Sequence, residues 1–251
     1  MKLENEKLIV ERSYKKVYKC ADGIAKVFEK GHPKADVFNE ALNTARVEAT
    51  GLDIPKVKEV SEVDGKWALL IEYKDGTTLE EMMEADKKNM PKYMEDFVDL
   101  QLEMHGKKAP LLNKLKDKLS RQINSLKEVD ATTRYELLTR LESMPKHDKL
   151  CHGDFNPSNV IFGKNGKMTI VDWAHATQGN ASADAAMTYL LFALKDQEKA
   201  DLYLKLFCQK SDTARQYVQQ WLPIVAAAQL TKQNEMEKEF LMKWIDVVDY
   251  Q

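Results

Sequence analysis

The chain has 251 residues, of which 43% are hydrophobic and 31% charged, a balance typical of a folded globular protein. Its 38 Lys and Arg residues nearly cancel its 40 Asp and Glu residues, so the net charge of −2 gives no reason to expect nucleic acid or an anionic membrane as a partner. The first residues, MKLENEKLIV, lack an apolar signal core, and no apolar stretch is long enough to cross a bilayer. We therefore expect a cytoplasmic protein, with no prediction of its oligomeric state.

Three widely spaced cysteines, Cys20, Cys151 and Cys208, form neither a metal-binding spacing nor a disulfide framework. Reduced thiols fit this pattern and the expected compartment. We expect Cys151, which adjoins the motif discussed below, to be a buried packing residue.

The first part of the chain predicts a small sheet with one inserted helix. KLIVERSYKKVYKC, GIAKVFEK, IPKVKEV and KWALLIEY are rich in β-branched and aromatic residues and are separated by turn residues. Between the second and third of these stretches, DVFNEALNTARVEATGL spaces its apolar residues as a helix does, with Gly51 near its end. The sheet therefore carries a helix after its third strand.

After KDGTT the periodicity becomes helical, with Pro91 as a break or a helix start, and two further charged helices follow. The stretch 149–173 returns to strands, because NVIF and MTIV flank the turn Gly163–Gly166, in which Asn-Gly is typical of a hairpin. From Ser182 onward the chain again predicts helices. We place a boundary near residues 74–76, which gives a β-rich lobe at 1–74 and a larger helical lobe at 75–251.

The stretches CHGDFNPSNV and MTIVDWAHA combine residues suited to phosphate chemistry. Asp154 and Asn159 are five residues apart across Pro157, and Asp172 follows Asn159 by thirteen residues. A hairpin would bring Asn159 and Asp172 side by side, where amide and carboxylate oxygens suit Mg²⁺. Asp154 would then be free to accept a proton from a hydroxyl. The alternative is a surface hairpin with solvated acids, since Asp, Asn and Pro are common in turns.

The order H-G-D-x-x-x-x-N followed by D-W resembles the aminoglycoside phosphotransferase and choline kinase superfamily, which is similar to protein kinases. The resemblance implies an α+β, protein-kinase-like two-lobed fold: a small antiparallel β-sheet lobe with one helix, then a larger, mainly helical lobe. It also implies transfer of the γ-phosphoryl group of ATP to a hydroxyl of a small molecule. Asp154 would be the catalytic base, Asn159 and Asp172 would hold Mg²⁺, and His152 and Asp184 would support the loop structurally.

The same resemblance implies a nucleotide site in the first lobe. Lys26, in a strand that is otherwise apolar, would contact the phosphates, although a lysine in mid-strand can also simply face water. Its acidic partner would be Glu40, with Glu48 as competitor. The loop ERSYKKVYKC contains no glycine, where protein kinases have several, so Ser13 would supply a hydroxyl and a backbone N–H, with Lys15 and Lys16 adding charge. The remaining expected adenine contacts are the hinge backbone of Glu72, Tyr73 and Lys74 and the flanking side chains of Ile24 and Ile161, both of which could be plain core residues.

The acceptor is open at this stage: an aminoglycoside-like or amino-alcohol molecule is the expectation, and GTP is not excluded as donor. Acidic residues near the end of the chain would suit a cation, and aromatic residues could surround one, but a solvated helix face and core packing explain them equally well. The residues concerned are Glu235, Glu237, Glu239, Asp246, Asp249, Trp173, Trp221 and Trp244. Two other functions remain open, a kinase-like nucleotide-binding regulatory module and a protein kinase, although the D-F-G and A-P-E motifs of the latter are missing.

Overall fold

The computed structural model describes residues 6–245, so Asp246 and Asp249 lie outside the described residues. The chain divides into two compact units, Met1–Met82 with Ser158–Ala176, and Met83–Pro157 with Thr177–Gln251. The lobe boundary that the sequence suggests after residue 74 stays a prediction. The mixed α/β architecture, with an antiparallel sheet first and a helical part after it, confirms the predicted fold class.

The first unit contains a five-stranded antiparallel sheet in the order β1-β2-β3-β5-β4. Asp64 and Gly65 both have positive φ, of 51° and 73°, and they join the last two strands in the kind of two-residue turn that matches strand twist. The apolar stretches identified in the sequence all form strands. They are β1 (Lys7–Glu11), β2 (Lys15–Cys20), β3 (Gly23–Phe28), β4 (Val57–Val63) and β5 (Lys66–Ile71).

The predicted helix follows the third strand as α1 (Lys34–Glu48) and packs on this sheet. Val37 and Ala41 on α1 form a buried cluster with Phe28, Leu69 and Ile71 of the sheet. Burial of these side chains stabilises the packing of the helix on the sheet, and the four larger ones contribute about 1.5–3 kcal/mol each if fully buried. The packing thereby holds α1 in place next to β3, the strand that carries Lys26.

A second, three-stranded sheet in the same unit confirms the predicted hairpin. β8 (Val160–Gly163) and β9 (Met168–Ile170) pair antiparallel around the turn that contains Gly166, and β6 (Gly76–Thr78) adds to the free edge of β8. A Cβ on Gly76 would lie 2.3 Å from the carbonyl oxygen of Phe162, so only glycine allows this close approach of β6 to β8.

The second unit is helical, as predicted, with one small two-stranded sheet formed by β7 (Lys149–Cys151) and β10 (Thr177–Gly179). β10 was not predicted, because three residues are too few for a period to show. Every residue of α9 is buried, which explains why its sequence is apolar apart from Gln229. Within the described ranges, no helix combines the length and hydropathy that a membrane span needs. The helices are α2 (Leu79–Ala85, assigned to both units), α3 (Met90–His105), α4 (Leu115–Ser125), α5 (Ala131–Ser143), α6 (Ala181–Ala193), α7 (Gln197–Ser211), α8 (Arg215–Gln219), α9 (Leu222–Leu230) and α10 (Glu235–Ile245).

Candidate active site

Lys26 is buried between two carboxylates in the first unit. It is 6% exposed, and its Nζ contacts Glu40 Oε1 and lies 2.8 Å from Asp172 Oδ1. Burial lowers the pKa of Lys26, but the charges of Asp172 and then Glu40 outweigh it, so the net direction is upward. The lysine is therefore a fixed cation, and it does not face water.

The choice between the two acids of α1 follows from their contacts. Glu40 is buried against Lys26, whereas Glu48 lies two turns later and its Oε1 accepts a hydrogen bond of 2.7 Å from the backbone N–H of Val57. Glu48 thus ties the end of α1 to β4 and does not contact Lys26. Glu40 keeps the lysine partnership that the sequence assigned to it.

Asp172 lies two residues beyond β9 in the left-handed backbone region, with φ 66° and ψ 62°. Non-glycine residues seldom adopt this conformation, and it is found where the surrounding structure holds a side chain in place. Asn159 lies just before β8, and its carbonyl accepts a 2.9 Å hydrogen bond from the N–H of Val171. Asn43 of α1 braces the following turn through a 3.1 Å bond to the carbonyl of Ala174. The hairpin thus brings the backbones of Asn159 and Asp172 close together.

The donor chemistry of Asn159 and Asp172 suits a magnesium ion that arrives with phosphates. Both offer hard oxygen atoms, and Mg²⁺ usually binds one or two protein groups and takes its other ligands from water and phosphate. Across residues 6–245, no three His, Cys, Asp or Glu side chains gather in a way that could hold a metal ion by themselves.

The glycine-free loop is a tight hairpin between β1 and β2. Its two strands close through a 2.9 Å bond from the N–H of Arg12 to the carbonyl of Lys15, which leaves Ser13 exposed at the tip. Lys15 is only 7% exposed, and its Nζ lies 3.7 Å from Asp172 Oδ2. Lys16 instead forms an outward ion pair with Glu11 at 2.9 Å. Lys26, Glu40 and Asp172 form what we call the Lys26 cluster. Of the two lysines considered in the sequence, only Lys15 adds its charge to this cluster.

The hinge residues after β5 are partly committed to the protein's own contacts. The N–H of Glu72 donates to the carbonyl of Lys56 at 2.8 Å, and the Lys74 side chain pairs with Asp53 at 2.9 Å. Tyr73 is covered by the ammonium group of Lys19, 3.9 Å from its ring centre. Any hydrogen bond donated to an adenine edge would therefore come from the backbone of Tyr73 or Lys74.

Ile24 and Ile161, the two aliphatic residues expected beside an adenine ring, are half-buried in the first unit. Ile24 lies on β3 opposite Ile71, and Ile161 lies on β8 opposite Thr78. Both keep part of their surface outside the core, as residues that contact a ligand must. Their role at the nucleotide stays a prediction.

In the second unit, the side chain of Asp184 binds the backbone of the loop His152–Asp154, here called the HGD loop. Its Oδ1 accepts a 2.7 Å hydrogen bond from the N–H of Gly153, and its Oδ2 lies 3.0 Å from His105 Nε2. Burial raises the pKa of Asp184, but the hydrogen bond and charge of His105, followed by the Gly153 N–H, bring it below the ordinary value. His152 is fully buried, and its Nδ1 accepts from the N–H of Asp154 at 3.2 Å. This geometry is what a supporting role for Asp184 and His152 requires.

Asp154 itself is a half-buried carboxylate with cations nearby. Lys232 Nζ lies 3.4 Å from its Oδ1, and the side-chain amide of Asn156 donates to its carbonyl at 2.9 Å. Lys118, on α4, lies near enough for the charges of Lys232, Asp184 and Asp154 to act on it. Lys118 and Lys232 were not predicted as site residues, because they are far from the motif along the chain and no periodicity predicts their approach to Asp154.

Those of the residues considered for cation binding that lie within 6–245 contact other groups. Glu239 pairs with Lys243 at 3.1 Å on the same helix, which supports the solvated-helix interpretation. Glu237 instead accepts a 2.9 Å hydrogen bond from the buried Gln229 of α9. Trp173 and Trp221 are fully buried, so both are core residues. Trp244 packs edge-on against Tyr189, with 6.0 Å between ring centres. The buried thiol of Cys151, whose pKa burial raises, is likewise a packing residue.

Comparison with solved structures finds a similar fold in several proteins. A thermostable mutant of the aminoglycoside phosphotransferase APH(4)-Ia, in a ternary complex with AMP-PNP and hygromycin B, superposes with a TM-score of 0.72 at 16% identity, over 97% of this chain and 91% of that one. A choline/ethanolamine kinase family protein from Mesorhizobium loti gives 0.64 at 14% identity, over 98% and 89%. The ADP-bound aminoglycoside phosphotransferase APH(2'')-Ib gives 0.63 at 16% identity, over 100% and 94%.

No curated protein matches the chain by sequence. A model of the phosphotransferase enzyme family, however, matches residues 11–217, which is most of the chain. That span includes the Lys26 cluster, the HGD loop and the hairpin that ends at Asp172. The chain belongs to the phosphotransferase enzyme family.

Proposed function

We propose that the protein transfers the γ-phosphoryl group of ATP to a hydroxyl of a small molecule. The observation that carries this proposal is the buried Lys26, held between Glu40 and Asp172. A buried ammonium with two carboxylates contributes little net stability compared with apolar side chains of the same size. A functional role explains why such a costly charged group lies in the first unit: the lysine would bind phosphate, and Asp172 would bind the accompanying metal.

Lys26 would contact the α- and β-phosphates, with Glu40 holding it in position. Lys15, at the start of β2, would add a second cation. Its charge would substitute for the close contact between backbone and phosphate that glycines permit. Ser13 would contribute its hydroxyl at the tip of the hairpin. The backbone of Glu72 would accept from the adenine edge, and Tyr73 or Lys74 would donate to it. The complexes of two relatives with AMP-PNP and with ADP support an adenine nucleotide as the donor.

Asn159 and Asp172 would hold Mg²⁺. When bound, the ion neutralises negative charge on the phosphates and fixes their orientation. Because Asp172 also contacts Lys26 at 2.8 Å, the same carboxylate would align the metal-bound phosphates with the lysine. This arrangement makes Asp172 the residue whose loss should weaken nucleotide binding most.

Asp154 would act as general base. The acceptor hydroxyl gives its proton to a carboxylate oxygen of Asp154, its oxygen forms a bond to the γ-phosphorus, and the bond from that phosphorus to the β,γ-bridging oxygen breaks to release ADP. Asp184 and His152 would keep the loop in the conformation that presents Asp154, through their bonds to the N–H groups of Gly153 and Asp154.

The acceptor would be a hydroxylated small molecule. One relative binds hygromycin B and another belongs to the choline/ethanolamine kinase family, which supports an aminoglycoside-like or amino-alcohol acceptor by analogy. We further propose that the reaction takes place in the cytoplasm, where ATP and reduced thiols are both available.

A regulatory module that binds nucleotide without transferring phosphate is the second candidate. The observation in its favour is the tight, glycine-free hairpin, which limits backbone contact with phosphates. Such a module would have no need of the carboxylate of Asp154. Turnover therefore separates the two functions, while nucleotide binding is common to both.

The first test is calorimetric titration of Mg-ATP into the wild-type protein, Asp172→Asn and a control, Asp75→Asn. Asp75 is an exposed aspartate of the same unit that pairs with Lys164 at 2.8 Å. We expect the affinity to fall at least tenfold in Asp172→Asn, and to stay unchanged in Asp75→Asn. No binding of Mg-ATP or Mg-GTP to the wild type would refute both candidate functions.

A further inference from the structure

The charge around the proposed base bears on the identity of the acceptor. Lys232, which follows α9, has its Nζ 3.4 Å from Asp154 Oδ1. Neither side chain is fully buried, since Lys232 is 36% and Asp154 25% exposed. An exposed pair at this distance is weak, so Lys232 can exchange this carboxylate for another anion nearby.

Hydrogen bonds between α4 and α9 bring a second lysine to the same place. Gln122 of α4 donates to Thr231 Oγ1 at 3.3 Å and to the carbonyl of Ala228 at 3.4 Å. Lys118 is one helical turn before Gln122 and so shares its face of α4, while Lys232 directly follows Thr231. Lys118 therefore lies on the face of α4 that is bonded to the end of α9, from which Lys232 reaches Asp154.

The electrostatics agree with this geometry. Burial lowers the pKa of Lys118 to about 8, the charges of Lys232 and Arg121 lower it as well, and those of Asp184 and Asp154 oppose them. Asp184 already has the Gly153 N–H and His105 as partners. Lys232 thus contacts Asp154, and Lys118 adds a second positive charge within reach of the same carboxylate.

We infer that the acceptor carries, beside its reactive hydroxyl, an anionic group such as a carboxylate or a phosphate monoester, which Lys232 and Lys118 bind. This inference rests on the proposed phosphotransfer at Asp154 and narrows its substrate class. An anionic group on the acceptor would attract both lysines, whereas an ammonium group would be repelled by them. Lys232 acts here as a specificity residue, and its move to the acceptor leaves Asp154 free to take the hydroxyl proton.

The test uses hexose acceptors that share a frame and differ in charge. Glucose is neutral, glucosamine cationic, glucuronate a carboxylate and glucose 6-phosphate a phosphate monoester; hygromycin B is added as a larger cation. ADP release with Mg-ATP is measured for each, together with equilibrium binding of each compound to the protein saturated with Mg-AMP-PNP. We expect glucuronate or glucose 6-phosphate to bind and react best, and the better of the two identifies the anionic group.

Variants then assign the preference to the lysines. Lys232→Gln and Lys118→Gln should each raise KM for the anionic acceptor about 10–100-fold, the usual effect of losing a hydrogen bond to a charged group. The Kd for Mg-ATP should not change. Lys232→Glu should shift the preference toward glucosamine. Lys243→Gln is the matched control, because this lysine lies on α10 and pairs with Glu239.

The outcomes separate this inference from the proposed function. Mg-ATP binding with turnover of glucosamine or hygromycin B, but of no anion, would overturn the inference and leave phosphotransfer standing. Failure of both anions to bind would also overturn it. A loss of Mg-ATP affinity in Lys232→Gln with an unchanged acceptor KM would mean that the lysine serves the donor phosphates instead. Absence of Mg-ATP binding in the wild type would refute the proposed function itself.

Discussion

Replacing Lys26 by methionine tests whether the buried charge cluster of the first unit is a single cooperative feature. Methionine keeps the length of the side chain but removes the cation that neutralises Glu40 and Asp172. Glu40 is 5% exposed, so its carboxylate would remain in a poorly solvated place without a counter-charge. Asp172 is affected less, because its side chain is 31% exposed and Lys15 remains 3.7 Å away.

The expected loss in the free energy of unfolding follows from the different burial of Glu40 and Asp172. Removal of one partner of a buried ion pair typically costs about 3–5 kcal/mol, because the other charge is left uncompensated. Since only the Glu40 side of the cluster is deeply buried, we expect the lower end, about 3 kcal/mol. In the double variant Lys26→Met with Glu40→Met, both deeply buried charges are gone, so about 2 kcal/mol of that loss should return.

Urea unfolding followed by circular dichroism measures these differences at pH 7. The raised pKa of Lys26 means that its contribution is fully present below the ordinary lysine value of 10.5 and is lost only as pH rises through the higher folded-state value. The difference between wild type and Lys26→Met should therefore be constant from pH 6 to about 9. A difference below about 1 kcal/mol, the size expected of an exposed pair, would refute the account of a buried cluster.

Three further predictions concern the remaining charged groups. In Asp184→Ala, the Gly153 N–H and His105 lose a buried partner, and we expect the free energy of unfolding to fall by about 3–5 kcal/mol in urea titrations; a loss under 1 kcal/mol would contradict the bracing role. Burial and the charges of Lys232, Asp184, Asp154 and Arg121 give Lys118 a pKa of about 8, so binding of glucuronate should weaken as pH rises from 7 to 9 and this lysine loses its charge. Lys118→Arg keeps the charge and should abolish that pH dependence. An identical pH profile in both proteins would exclude Lys118 from binding the anion. Lys15→Met should weaken Mg-ATP binding about tenfold in calorimetry, the value of one charged contact, whereas Lys16→Met should not.

Much of the fold was predictable because its elements have strong local patterns. The hairpin at Gly163–Gly166 is set by Asn-Gly between two apolar runs, and α1 by its apolar spacing with Gly51 after it. The strand β10 and the pairing of β6 with β8 were not predicted. Three-residue strands carry no readable period, and their pairing depends on contacts distant in sequence.

The candidate site was predictable where a motif fixes residues at set distances, as in the HGD loop and the aspartate after β9. It was not predictable where folding alone brings residues together. Lys232 is 78 residues from Asp154 in the sequence, and Lys118 lies on a helix that reads as an ordinary charged one. The sequence already favoured Glu40 over Glu48, and the contacts agree, since Glu40 pairs with Lys26 whereas Glu48 accepts from the N–H of Val57.

The most direct test of the proposed phosphotransferase compares nucleotide binding and phosphoryl transfer in the wild type and in Asp154→Asn. Binding of Mg-ATP is measured by calorimetry, and transfer by mass spectrometry of the acceptor, which gains one phosphate. We predict equal binding in the two proteins and a turnover about 10²–10⁴-fold lower in the variant, the usual contribution of a general base. Transfer at the wild-type rate by Asp154→Asn would contradict the account.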